Sequence, residues 1–225
     1  TPSLTLYHFP TSQSERIPFL LEELSLPYTL IVHPRNPTFF APPPLISKHP
    51  MGTAPLLEDF TLDPNNPIVL GESAAIADYI IHRYGDGRLA LEPSEKEYPN
   101  YLYWFHFANS TLQPLLARRI GILPSDTSAK AKDSEERLHR MLRYFNQRVE
   151  ENVWLAGGTF TAADVMNLWC LTNMRKFSPV DLGEYKGILG WLERCTEREG
   201  YRRAMEKCDP ELSVEEGRSA KGPEL

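Results

Sequence analysis

Three stretches of this chain carry residues whose types and spacing suggest chemistry. The first is Lys48-His49-Pro50-Met51-Gly52-Thr53-Ala54-Pro55-Leu56-Leu57-Glu58, a loop with prolines and a glycine that runs straight into an apolar strand. Pro55 falls at the loop–strand junction, where a proline either caps an edge strand or holds a cis bond in a tight turn. A cis bond there turns the N–H and C=O of Ala54 outward, placed to pair with an extended peptide as an added strand does. The second stretch, Gly71-Glu72-Ser73-Ala74-Ala75-Ile76, reads as a helix start. It sets a carboxylate and a hydroxyl beside backbone N–H groups that favour an anion. A backbone clamp, an anion site and a carboxylate for an amine are what a short zwitterionic peptide needs. The third is Ser12-Gln13-Ser14-Glu15-Arg16, a polar loop feeding a helix, with two hydroxyls at the junction.

The elements that must position these residues follow from periodicity and breakers. Residues 3–8 alternate and are rich in strand formers, so they read as a first strand. Ile17, Phe19, Leu20, Leu21 and Leu24 form the apolar stripe of a helix that Pro27 ends, and residues 28–32 are a second strand. Strand, helix, strand implies a right-handed parallel unit. Pro34, Pro37, Pro42, Pro43, Pro44 and Pro50 leave room for at most one short helix between them. Residues 55–58 and 67–70 read as an antiparallel pair around the turn at 63–66, and residues 72–84 as a closing helix. The order β-α-β-(α)-β-β-α matches a thioredoxin-like domain. The expected division is a thioredoxin-like domain over 1–86, a linker over 87–97 and an all-helical domain over 98–225. Helices are expected over 98–122, kinked at Pro114, then 129–153, 161–176 with a Thr161-x-x-Asp164 capping box, 187–199 and 201–207, with a polar, frayed tail after 208.

Composition narrows the function classes. The chain has 225 residues, 41% hydrophobic and 24% charged, and a net charge of −6. That balance and the lack of a dense basic cluster argue against nucleic acid as a partner. Cys170, Cys195 and Cys208 are too few and too scattered for a disulfide framework or a metal site and suit a reducing compartment. His8, His33, His82 and His139 show no ligand spacing, so no metal is expected. No apolar run reaches the roughly 18 residues of a membrane helix, and no secretory pattern opens the chain, so a cytoplasmic location without membrane contact is expected.

Pro50-x-Gly52-x-x-Pro55-x-Leu57, followed about fifteen residues later by Glu72-Ser73-x-Ala75-Ile76, resembles the glutathione site of cytosolic glutathione S-transferases. Residues 12–24 and Thr161–Asp164 fall where that family has its first helix and its helical-domain capping box. The resemblance spans roughly residues 3–205 and is closest to fungal and bacterial members. It implies glutathione as cosubstrate, an apolar electrophile as second substrate and a homodimer. Ser12 matches the hydroxyl that serine-type members set against the glutathione sulfur. Ser14 is the second candidate, and Tyr7 resembles the tyrosine-type arrangement; a helix cap is the alternative role of either serine. A thiol of reference pKa about 8.5 needs only about 1.4–2.7 kcal/mol of preferential thiolate stabilisation to ionise one or two units lower. One hydroxyl hydrogen bond plus the positive end of a helix is of that size.

The resemblance further implies that Glu72 and Ser73 hold the γ-glutamyl amine and carboxylate and that Ala54, beside Pro55, clamps the cysteinyl backbone. Thr53 departs from the longer donor that many relatives carry there, which leaves Lys48 or His49 to meet the peptide's other carboxylate. Arg16 and Asp164 read as structural. The second substrate is expected against Phe9 and the first helix of the helical domain, with Phe107 and Ser110 as candidates and His106 as a possible acid. The leading function is conjugation of glutathione to an apolar electrophile. Alternatives are glutathione-dependent cis–trans isomerisation of a conjugated alkene in secondary metabolism, or a non-catalytic glutathione-binding regulator. A disulfide reductase would want a cysteine in the loop at 9–16, and there is none.

Overall fold

The computed structural model describes residues 1–34, 43–120 and 126–224. By contacts the chain forms two compact units, one of residues 1–90 with 197–212, the other of residues 91–196 with 213–225.

In the first unit, strands β1 (Leu4–His8), β2 (Thr29–Val32), β3 (Leu56–Asp59) and β4 (Ile68–Gly71) form a sheet in the order β2-β1-β3-β4. β1 and β2 run parallel, Thr5 opposite Thr29; β1–β3 and β3–β4 run antiparallel, Leu6 opposite Leu57 and Leu57 opposite Leu70. Helix α1 (Arg16–Leu24) crosses over between β1 and β2, α2 (Pro43–Ile46) is one turn, and α3 (Ser73–Arg83) closes the unit. This is the thioredoxin-like arrangement expected from the element order. The stop of α1 differs in detail from that reading. Ser25 takes the left-handed conformation at φ 55°, and the N–H of Leu26 closes on the carbonyl of Leu21 at 3.0 Å. A left-handed C-cap ends the helix, and Pro27 follows where the chain is already extended.

Helix α9 (Glu199–Cys208) belongs to this unit, although the sequence division assigns it to the helical domain. Tyr201, Ala204, Met205 and Cys208 are buried at i, i+3, i+4 and i+7, the stripe of a helix packed on one side. Its partner is α1: the Phe19 and Tyr201 rings meet edge-on at 5.1 Å, Arg203 pairs with Glu22 at 3.1 Å, and Arg198 with Glu23 at 2.6 Å. Lys207 also pairs with Glu22.

The second unit is helical throughout its described residues apart from one isolated bridge at Trp154–Gly157: α4 (Tyr98–Phe107), α5 (Gln113–Ala117), α6 (Ala129–Glu151), α7 (Ala162–Leu171), α8 (Lys186–Thr196) and α10 (Val214–Arg218). The irregularity expected at Pro114 is a π-helical turn over Ala108–Leu112, just before that proline. Proline lacks an N–H and its ring crowds the carbonyl four residues back, here Ser110, and a widened turn relieves both. The expected end of this segment at Ile122 lies outside the described residues. α7 is buried on all sides and forms the centre of the unit. Phe145 meets Trp104 and Trp191 edge to face, with ring centroids 5.1 Å apart in each pair.

The tail expected to fray is ordered. Arg175 is fully buried and donates to the carbonyls of Gly217 (2.7 Å), Ser219 (2.7 Å) and Ala220 (3.0 Å). Polar composition cannot reveal that a buried guanidinium gathers the tail's carbonyls. Burial lowers that guanidinium's pKa to about 10.

The capping box is present as expected. Asp164 accepts from the N–H groups of Thr161 (3.1 Å) and Leu155 (3.0 Å) and from the Trp191 indole (2.8 Å). Burial nevertheless pushes its carboxyl up from 3.8 to about 6. Between those values the native state holds a proton that the unfolded chain has lost, so this group's contribution is full below the unfolded pKa and is lost as pH rises through the folded one. Over that interval the loss is about 3 kcal/mol. Urea unfolding of wild type and Asp164→Asn therefore shows a wild-type advantage that is larger at mildly acidic than at neutral pH; a trend of opposite sign overturns this reading.

Candidate functional site

The polar loop after β1 is built around a row of buried polar atoms. Ser12 caps the short 3-10 turn Gln13–Glu15 that leads into α1: its oxygen accepts the N–H of Ser14 at 3.2 Å, and its hydroxyl lies 2.8 Å from the carbonyl of Phe9. The two serine oxygens are 2.6 Å apart. Ser14 is fully buried; its oxygen also accepts the N–H of Phe9 at 3.1 Å and lies 2.7 Å from Nδ1 of His8. His8 is itself fully buried, and its Nε2 lies 3.0 Å from Oδ2 of Asp209. The other oxygen of Asp209 accepts the N–H of Thr11 at 2.7 Å, and Thr11 sits at φ 51°. Ser12 keeps 8% of its surface exposed, so of the two serines it is the one solvent still reaches.

The second corner is the loop before β3. The Ala54–Pro55 peptide bond is cis, as the sequence reading anticipated. Ala54 and Pro55 are buried, while Thr53 beside them is exposed. Lys48 pairs with Glu58 at 2.8 Å, and the same carboxylate accepts the Tyr7 hydroxyl at 2.6 Å. Burial, then the bond to Glu58, raises the Tyr7 phenol above its ordinary value. The hydrogen bond to Glu58 likewise raises Lys48. The Tyr7 hydroxyl is thus held inside by Glu58, at the far side of the strand from any thiol role.

His49 folds back on this loop, its Nδ1 accepting the N–H of Met51 at 3.3 Å. Its ring passes close to Gly71, where an added Cβ would lie 3.7 Å from the imidazole. Loop 48–55 therefore reaches the β4–α3 corner. There Glu72 sits at φ 69°, ψ 114°, unusual for a residue with a side chain, and α3 opens at Ser73. Such backbone outliers cost on the order of 1–3 kcal/mol and concentrate at binding sites. Arg16, read from sequence as structural, is 1% exposed and bridges the second and third stretches: Nη1 reaches Gln13 Oε1 and Ser73 Oγ, each at 3.2 Å.

The structure thus joins the loop at 9–16, the loop at 48–55 and the corner at 71–73. Sequence reasoning missed His8 and Asp209. Their partners lie far apart in the chain, and Asp209 fell in the stretch read as a frayed tail. His8, Cys208 and Asp209 also bring their metal-capable atoms within 4.8 Å of one another. The Cys208 thiol donates to Asp209 at 3.5 Å, whereas Nε2 of His8 lies 3.0 Å from the same carboxylate as a charge contact without hydrogen-bond alignment. Burial raises that thiol well above its ordinary pKa, so it stays protonated.

In the helical unit, Phe107 and Ser110 line a cavity of about 580 Å³ with Tyr103, Tyr144, Met141 and Arg140 among its walls. His106 is exposed and lies outside that lining. In the first unit Phe9 packs on the Tyr7–Leu45–Leu56 cluster, edge-on to His33 at 6.3 Å.

A thioredoxin-like domain with a hydroxyl at the start of α1 and a cis-proline corner, followed by a helical domain, defines a class of glutathione-fold proteins. Residues 6–92 match the glutathione S-transferase N-terminal domain and residues 111–199 the glutathione S-transferase C-terminal domain, and the chain belongs to the glutathione S-transferase family. It is 27% identical to glutathione S-transferase 3 of Schizosaccharomyces pombe, over 92% of this chain and 88% of that one. It is 26% identical to the disulfide-bond oxidoreductase YfcG of Escherichia coli, over 91% and 95%. A solved glutathione S-transferase structure from Actinobacillus pleuropneumoniae superposes with a TM-score of 0.78 at 29% identity, over 92% and 93% of the chains.

The placement of the Tyr7 hydroxyl gives a test. Tyr7→Phe is expected to lower stability in urea by about 1 kcal/mol and to leave the turnover assayed below within about twofold of wild type. A loss as large as that of Ser12→Ala would return Tyr7 to the site.

Proposed function

We propose that this chain is a serine-type glutathione transferase in which Ser12 holds the thiolate of bound glutathione. The observation that carries this reading is that Ser12, at the start of the turn feeding α1, is the less deeply buried of the two serines, 8% exposed against 0% for Ser14. The helix start contributes partial positive charge on the same side. Glu72 takes the γ-glutamyl amine and the first N–H groups of α3, at Ser73, take its carboxylate. The Ala54 backbone, beside Pro55, pairs with the cysteinyl residue, and Lys48, His49 and Thr53 face the remaining carboxylate.

The thiolate attacks an electrophilic carbon of an apolar substrate. With an aryl halide the C–S bond forms and the halide leaves with its electron pair, the thiol having given up its proton before the attack. Phe107 and Ser110, on the wall of the helical-unit cavity, are proposed to meet the apolar substrate, and assembly as a cytoplasmic homodimer is proposed from family membership. A second reading draws on the name of the YfcG relative: the bound thiolate attacks a disulfide, expelling one sulfur as thiolate, and a second glutathione resolves the mixed disulfide. That route needs no protein cysteine, and Cys170, Cys195 and Cys208 are all buried.

The test is incubation with glutathione and aryl halides, conjugated polyenes or small disulfides, read by chromatography with mass detection. A product heavier by one glutathione supports conjugation. An unchanged mass with new retention, formed only with glutathione, makes the protein an isomerase, and oxidised glutathione with free thiols makes it a reductase. Ser12→Ala is expected to lower kcat/KM about 10- to 100-fold at neutral pH, with the deficit shrinking as pH approaches that of the free thiol. Glu72→Gln is expected to raise KM for glutathione with kcat little changed. Bound glutathione with no product from any class would leave a binding protein.

A further inference from the structure

The row Asp209–His8–Ser14–Ser12 is continuous: 3.0 Å from carboxylate to Nε2, 2.7 Å from Nδ1 to the Ser14 oxygen and 2.6 Å between the serine oxygens. Asp209, His8 and Ser14 are sealed from solvent, and Ser12 is the member that keeps an exposed edge. Each group has a limited set of protons, and the Phe9 carbonyl, 2.8 Å from Ser12 and 3.2 Å from Ser14, is a second acceptor beside the row.

A carboxylate only accepts. With one N–H on the ring, the Asp209 carboxylate 3.0 Å from Nε2 draws it to that nitrogen, although the two are not aligned as a hydrogen bond, and Nδ1 is left as an acceptor. Ser14 must then donate its only hydroxyl proton to Nδ1. The Ser12 proton is shared between the Ser14 oxygen, 2.6 Å away, and the Phe9 carbonyl, 2.8 Å away; it points into the protein in either case, and the outer side of Ser12 is an acceptor. In that state Ser12 receives the S–H of an approaching thiol and cannot donate to it.

Resting on the reading that glutathione sulfur meets Ser12, we propose that Asp209 and His8 are positioning residues of a buried proton relay that carries the thiol proton inward through Ser12 and Ser14. The S–H bond breaks as an O–H bond forms on Ser12. The former Ser12 proton passes to Ser14, and the former Ser14 proton passes to Nδ1 of His8. The net product is one thiolate and one imidazolium, with no other reactant. Every bond in the row has reversed: Nδ1–H now donates to Ser14, Ser14 to Ser12, and Ser12 to the thiolate it has just created. The imidazolium faces the Asp209 carboxylate, which a neutral side chain could not replace in so dry a setting.

The groups that face His8 from its neighbours fit this assignment. Asp209 and Cys208 come from the end of α9, and Cys208 stays a neutral thiol that donates to Asp209 at 3.5 Å. Glu15 comes from the turn before α1, buried close enough to raise Cys208. On the β2 side the N–H of His33 donates to the His8 carbonyl at 2.9 Å. Asp209 also binds Thr11, so one carboxylate orients both the imidazole and the loop that carries Ser12.

The test titrates the ultraviolet thiolate absorbance of the glutathione complex in wild type, Ser12→Ala, His8→Asn and Asp209→Asn. The expected result is an apparent thiol pKa about one unit higher in His8→Asn and Asp209→Asn, a tenfold smaller thiolate fraction at neutral pH. Loss is then expected in kcat rather than in KM for glutathione. If Ser12→Ala moves the thiol pKa and neither relay variant does, the relay is wrong and the serine reading stands. If wild type itself shows no lowered thiol pKa, the serine reading fails first. A measurement on wild type alone covers variants that do not fold: nitrogen NMR of His8 with glutathione and with S-methylglutathione, which has no thiol proton to give. Imidazolium with glutathione and neutral imidazole with the methylated peptide is expected, and the same state in both overturns the relay.

Discussion

The constraint on which the first unit depends is the cost of burying the Asp209 carboxylate. Removed from water, an unpaired carboxylate costs several kcal/mol, and it is tolerated only when donors surround it. Asp209 meets that condition with the Thr11 N–H, the His8 ring and the Cys208 thiol. Those donors come from the loop after β1, from β1 itself and from the end of α9, three segments that meet at this carboxylate. A left-handed Thr11 is held in place by the same bond. The loop that presents Ser12 is therefore shaped by a residue almost two hundred positions away.

Around that point the unit is tied by side chains with more than one partner. Glu22 collects Tyr28, Arg203 and Lys207, and those donors hold its carboxyl below the usual value although burial pulls it the other way. Glu58 collects Tyr7 and Lys48. Arg16 spans from Gln13 to Ser73. Each multiply bonded charge fixes the relative position of two loops more tightly than a two-atom contact, because moving either loop strands a buried polar group. The consequence is that the loops carrying Ser12, Ala54 and Glu72 are fixed relative to one another.

The helical unit uses the same device differently. Asp164 and Asn167 lie on the fully buried α7 and bond backbone or indole groups of neighbouring segments, Asn167 reaching the carbonyl of Trp104 at 2.7 Å. Polar residues there align helices that apolar packing alone would allow to slide. Arg175 extends the pattern to the tail.

Much of this molecule was legible in one dimension because its causes are local. Alternation marked β1, the apolar stripe marked α1, Thr161-x-x-Asp164 marked the start of α7, and the Pro50–Leu57 and Glu72–Ile76 motifs marked the corners of the site. Each depends on a few adjacent residues and their backbone preferences. Helix α9 was legible as an amphipathic helix, but its assignment to the first unit was not, since a stripe says that a partner exists and not which one. The roles of His8 and Asp209, the capture of Tyr7 by Glu58 and the ordering of the tail by Arg175 were decided only by the tertiary structure. All three are pairings of buried polar groups distant in sequence, and such a group's partner is chosen by the need to avoid desolvation without compensation, a condition that exists only once the chain has folded.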